Sequence, residues 1–211
     1  MSNIENQVLE WRRGVMDKPR RGITRPEYIQ QFLDLLRPRI HPQTAELSAW
    51  RVRHARHLGP DNYQWTDRAW RPIQAGERWG GEGLTGFFRM EFTVPQSFAG
   101  QPLMLDLFLG GDGILRVDGL PDAGLECFHR EIILAKRAEA GRRYKLEMEI
   151  CVDHQVTPGP FHTFQYARAV TVDEEIESFY WDFQAAFLAA NNEWALPETA
   201  TYLLAALESS M

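Results

Sequence analysis

Apolar and polar residues alternate with a period of two in three stretches of the chain. Phe88, Met90, Phe92 and Val94 alternate with Arg89, Glu91 and Thr93, closed by Pro95. Leu103, Leu105, Leu107 and Leu109 alternate with Met104, Asp106 and Phe108. Tyr144, Leu146, Met148, Ile150 and Val152 alternate with Lys145, Glu147, Glu149 and Cys151. Successive strand side chains point to opposite faces, so each stretch predicts a strand with one buried face. Further strand candidates are 114–118, 128–134 and 162–172. Turn signals stand between them: Gly110-Gly111-Asp112-Gly113, Asp118-Gly119 and Ala140-Gly141. Residues 50–80, with Trp50, Tyr63, Trp65, Trp70 and Trp79, read as an irregular aromatic stretch. Six or more short strands joined by turns, with no helix between them, predict an antiparallel β-sandwich.

Outside that region the period is that of a helix. Ile29, Phe32, Leu33 and Leu36 form one apolar stripe, opened at Arg25-Pro26-Glu27 with Pro26 as first helical residue and ended by Pro38 and Pro42. Asp173 is a candidate N-cap, with Glu174 and Glu175 suited to the positive helix end. Ile176, Phe179, Tyr180, Phe183 and Phe187 follow as a broad apolar stripe that ends near Asn191-Asn192. A second helix is expected from Pro197, with Leu203, Leu204 and Leu207 inward. The chain thus divides into a basic helical segment (1–45), a β-sandwich (46–172) and an acidic helix pair (173–211). The fold class is mainly β with flanking helices.

The 211 residues are 44% hydrophobic and 25% charged, a globular composition. No apolar run reaches the roughly 18 residues of a spanning helix, and the N-terminus has no apolar signal core. A soluble cytoplasmic protein without membrane contact is expected. The net charge of −6 conceals a gradient: residues 1–57 carry eleven Lys/Arg against six acids, and residues 173–211 carry eight acids and no Lys or Arg. A nucleic-acid partner is not expected, because a duplex binder shows a domain-wide basic excess. Cys127 and Cys151 match neither a disulfide framework nor a zinc motif and read as buried or idle thiols.

No motif for catalysis stands out. The glycines at 110–113 lack the Lys of a phosphate loop and read as a strand-to-strand turn with positive φ. Trp79-Gly80-Gly81-Glu82-Gly83 reads as a loop. His54 and His57 fall on opposite faces if 50–57 is extended, and further ligands for zinc are lacking. His129 and Glu131 would share one face of strand 128–134, as a rim pair or a general acid/base pair. There is no Ser nucleophile elbow, and nothing selects two of the 29 acids as a glycosidase pair. The aromatics between Trp50 and Trp79 admit two readings: core rings covering the sandwich, or a sugar-stacking platform.

The order of features over residues 79–182 is more specific. WGGEG at Trp79, GFFRMEFTVP (86–95), LFLGGDGILRVDGLPDAGLECFHREIIL (107–134), AGRRYKLEMEI (140–150) and ARAVTVDEEIESFYWDFQAAFLA (167–189) follow one another. This resembles the N-terminal β-sandwich of family 38 α-mannosidases, in their intracellular vacuolar-type and bacterial branch. Glu126 departs from the family's pattern, in which an Asp precedes the histidine. The resemblance implies a jelly-roll-like, galactose-binding-like sandwich. It also implies that the nucleophile and a zinc-like divalent metal belong to a separate catalytic barrel announced by His-x-Asp. No His-x-Asp occurs in this sequence. The resemblance therefore assigns no catalytic residue, metal ligand or cofactor to this chain. What it implies is an accessory domain whose partner is the missing catalytic domain, packing on it and lending a loop to the sugar site. Two other readings stay open. One is a stand-alone carbohydrate-binding module with Trp79, Asp112, His129 and Glu131 as sugar-contact candidates. The other is a structural interaction domain that forms a homo-oligomer through its helical apolar stripes.

Overall fold

A computed structural model describes residues 24–151, 159–192 and 196–211. Residues 1–23 of the expected basic segment, Val152 and His154 lie outside them. The chain forms two compact units, one of residues Gln43–Thr171 and one drawn from both ends of the chain.

The first unit is an antiparallel sandwich. Its four-stranded sheet has the order β1 (Thr44–Glu46), β13 (Tyr166–Thr171), β7 (Leu103–Phe108), β10 (Glu131–Ala135). The larger sheet runs β3 (Asn62–Trp65), β2 (Arg51–Gly59), β6 (Thr85–Thr93), β11 (Arg143–Cys151), β8 (Asp112–Val117), β9 (Leu120–Leu125), with β4 (Arg71–Pro72) also on β2. A small third sheet pairs β5 (Arg78–Gly80) with β12 (Phe161–Thr163). Cross-strand rows set the core. Val52, Phe88, Met148 and Leu115 are successive partners on the larger sheet, and Ala45, Ala169, Leu105 and Ile132 on the smaller. Nearly all of these side chains are buried in one cluster, as period-two alternation requires.

Several expectations need correction. Residues 50–80 are not irregular: they supply four strands. Trp50, Val52 and His54 are buried while Arg51 and His57 are exposed, so alternation runs here too, and His54 and His57 do fall apart. The segment 103–109 buries both faces, since Met104 and Asp106 are buried along with the leucines. Asp106 is tolerated there because its Oδ2 accepts from Arg168 Nε (2.8 Å) and Nη2 (2.6 Å). Strand β10 begins at Glu131, so residues 128–130 are loop, and the expected strand 162–172 is two short ones. Neither cysteine is buried.

Turns follow the chemistry of their residues. Asp118 and Gly119 (φ 52° and 84°) both have the left-handed backbone that a two-residue hairpin between β8 and β9 demands. Gly110 and Gly111 (φ 86° and 73°) turn the chain from β7 to β8. Gly113 is there for space: a Cβ on it would fall on the carbonyl oxygen of Glu149.

The second unit is helical. Helix α1 (Arg25–Leu36) starts with a capping box between Thr24 and Glu27, which makes Pro26 its second residue rather than its first. Asp173 caps α2 (Glu174–Ala190), accepting from Ile176 N–H at 3.1 Å, and α3 (Pro197–Ser210) begins at its proline. Phe32 meets Phe183 at 5.2 Å and Phe179 at 6.2 Å, and Arg25 pairs with Glu208 at 2.7 Å. Among the described residues no helix is long and apolar enough to cross a membrane.

Candidate functional site

Of the four sugar-contact candidates, the structure brings two together. Asp112 at the start of β8 and His129 in the β9–β10 loop line one shallow hollow of about 440 Å³, with Gly124, Glu126 and Cys151 also on its wall. The loop is a local turn: Glu126 N–H donates to His129 O (3.1 Å), and Arg130 Nε donates to Cys127 O. That turn pairs His129 Nδ1 with the Glu126 carboxylate three residues earlier, and not with Glu131 as expected. The ring is largely exposed, and beside it Phe128 is 84% exposed, the most open large apolar residue among the described residues of the sandwich. The loop therefore presents an imidazole–carboxylate pair and a bare phenyl ring at one rim. Such a pair can exchange hydrogen bonds with hydroxyls. Glu131 is the cross-strand neighbour of Asp106 on the smaller sheet and does not reach the hollow's wall.

Trp79 is no surface platform. It is 2% exposed, and its Nε1–H donates to Leu109 O at 2.6 Å. Phe88 meets it edge-on at 4.9 Å and His162 lies at 5.4 Å. Gly86 makes room, because a Cβ there would stand 2.5 Å from the indole. His54, also buried, is fixed alongside. Gly80 N–H donates to its Nε2 at 3.1 Å, so the proton sits on Nδ1 and is given to Asp67 Oδ2 at 2.7 Å. Trp50 is core as well.

The other aromatics of that stretch lie on the outer face of the larger sheet. Trp65 is 41% exposed, with Phe87 at 4.9 Å and Trp70 at 6.5 Å. Tyr63 meets Phe87 edge-on at 5.0 Å and stacks on His57 at 5.2 Å. Its hydroxyl donates to Glu149 Oε1 at 2.5 Å, and Arg116 Nη1 reaches Glu149 Oε2 at 3.3 Å. That hydrogen bond, with burial second, pushes the Tyr63 phenol up to about 12. The two readings of these aromatics thus divide by residue: Trp50 and Trp79 are core, and Tyr63, Trp65 and Trp70 are a surface group. Among the described residues no group of three or more His, Cys, Asp or Glu is arranged to hold a metal ion.

Similar solved structures include a Ruminococcus gnavus β-glucuronidase with D-glucuronic acid (TM-score 0.42, 9% identity, 62% of this chain and 29% of that one). Bacteroides uniformis β-glucuronidase 2 aligns with a TM-score of 0.45, 14% identity and coverage of 62% and 18%. An FMN-binding β-glucuronidase from Facaelibacterium prausnitzii aligns with a TM-score of 0.43, 16% identity and coverage of 62% and 22%. The chain spans less than a third of the length of any of these three. A search of curated proteins returned no significant match. Residues 42–172, the whole sandwich, match the family model described as alpha-mannosidase, jelly roll domain. With that match covering well over half of its residues, the chain belongs to the α-mannosidase jelly-roll domain family.

Proposed function

We propose that this chain is a non-catalytic accessory domain of an α-mannosidase-like glycoside hydrolase. Its sandwich packs on a catalytic domain that supplies the nucleophile and the divalent metal, and its β9–β10 loop is lent to the sugar site. The family match over residues 42–172 carries the reading. The loop supports the second part: Phe128 and the His129–Glu126 pair stand out at one rim with no core role, and an exposed ring of that size is suited to contact outside the chain. Two carboxylates of the jelly roll are engaged in structure, Asp106 with Arg168 and Asp67 with His54.

A photo-crosslinking amino acid in place of Phe128 tests this. The full chain is expressed together with a family 38 catalytic domain and irradiated. Crosslinks from position 128 to residues rimming the barrel's sugar site are expected. Efficient crosslinking from a control position such as Leu120, with none from position 128, would overturn the loop's assignment.

A further inference from the structure

The outer face of the larger sheet carries an arginine cluster that the accessory role does not use. Arg51 on β2 and Arg89 on β6 are direct cross-strand partners, and Arg53 lies one row on. Like charges directly opposite on neighbouring strands oppose pairing. All three converge on the loop between β3 and β4. Arg51 Nη2 donates to Trp70 O (3.3 Å) and Arg53 Nε to Asp67 O (3.1 Å). The Arg89 guanidinium lies 4.1 Å over the Trp70 ring, and that of Arg53 4.1 Å over Trp65.

The nearby carboxylates are occupied elsewhere. Asp67 turns its carboxylate to His54, and Glu147, opposite Arg89 on β11, holds Lys145 at 2.9 Å. Glu149, beside Phe87, takes Tyr63 and Arg116, and Glu91 lies opposite Lys145. Among the described residues Arg51, Arg53 and Arg89 form no ion pair within 4.0 Å. These guanidinium groups are oriented by indoles and carbonyls, with N–H donors to spare, beside the exposed part of Trp65. Oriented planar forks of this kind take a carboxylate, sulfate or phosphate bidentately.

We infer that this face binds a short anionic sugar, its acidic group on Arg51 and Arg89 and its ring against Trp65. Guanidinium groups without a direct carboxylate partner call for the anion, and the exposed part of the indole suits the apolar face of a sugar ring. The choice of a sugar among small anions rests on the glycoside-processing role proposed above. A polyanion is disfavoured by the net charge of −6. A ligand with one or two charges feels only the local cluster, because screening confines fields to about 8 Å at physiological salt.

The test is calorimetric titration of the full chain with mannose 6-phosphate, inorganic phosphate and methyl α-mannoside. Mannose 6-phosphate should bind at about 1 mM or tighter, phosphate several-fold more weakly, and the uncharged mannoside not at all in that range. Arg51→Ala/Arg89→Ala should weaken the sugar phosphate by about tenfold or more, the loss of about one charge-assisted hydrogen bond. If the double variant does not fold, Arg51→Ala alone, at an exposed position, should give several-fold weakening. Trp65→Ala should reduce mannose 6-phosphate to the affinity of phosphate. Equal affinity for both anions in the unaltered chain means an adventitious ion only and overturns the inference. So does affinity unchanged in the arginine variants, or no binding. Any of these failures leaves the accessory role standing, since that is read from crosslinking and turnover.

Discussion

Trp79 is where a sugar-contact reading and a core reading make opposite predictions. In Trp79→Phe the indole N–H is lost and the Leu109 carbonyl, which accepts it at 2.6 Å, is left unpaired in a buried site. An orphaned buried acceptor costs about 1–3 kcal/mol. The lost ring atoms and the cavity they leave add about 1 kcal/mol. The sum is near 3 kcal/mol, and at about 2–4 °C per kcal/mol for a chain of this size the midpoint should fall by about 6–12 °C. Gly86→Ala gives the complement. Its new Cβ would stand 2.5 and 2.8 Å from indole carbons of Trp79 and 2.9 Å from Phe88, so overpacking costs about 1–3 kcal/mol. In the Trp79→Phe background part of that clash disappears, and the two losses should fall short of additivity by about 1 kcal/mol. Thermal and urea unfolding followed by far-ultraviolet circular dichroism reads all three variants. A Trp79→Phe chain with the parent's midpoint and weakened sugar binding would refute the core assignment.

Three other outcomes follow from the same contacts. Arg168→Ala strands the Asp106 carboxylate, 3% exposed, and should cost about 3 kcal/mol, with much of it recovered by adding Asp106→Asn; a loss below about 1 kcal/mol in urea unfolding would contradict the pairing. The Tyr63 phenol is raised to about 12 chiefly by its bond to Glu149, so it binds its proton more tightly folded than unfolded. Its contribution is then whole below about pH 10 and lost as pH rises toward 12, and the late phenolate absorbance step should vanish in Tyr63→Phe. Asp173→Ala removes the cap on Ile176 N–H and should cost about 1 kcal/mol, visible as faster amide exchange in the first turn of α2.

Much of this architecture is legible in the sequence because burial is one-sided. Period two in 88–94 and 144–150 and the 3.6 period in 176–187 each mark a single buried face. Legibility fails where that condition fails. Strand β7 is buried on both faces, so alternation there does not show which side meets the other sheet. At the start of β2 the alternation of Trp50, Val52 and His54 with arginines is present, but arginine and histidine disguise it, since His54 is buried by hydrogen bonds and not by apolarity. The site is less legible still. Whether an aromatic is core or surface depends on register, as Trp79 and Trp65 show. The partner of His129 is set by a turn whose bonds leave no compositional trace beyond the i, i+3 spacing of Glu126 and His129.

If this jelly roll works for a catalytic domain, as proposed, it has no turnover of its own. The most direct measurement is hydrolysis of an aryl α-mannoside by the purified full chain, with and without added zinc. Release at the buffer's background rate is expected in both conditions. Saturable, metal-dependent turnover at enzyme-like rates, on the order of 1 per second or faster, would contradict it.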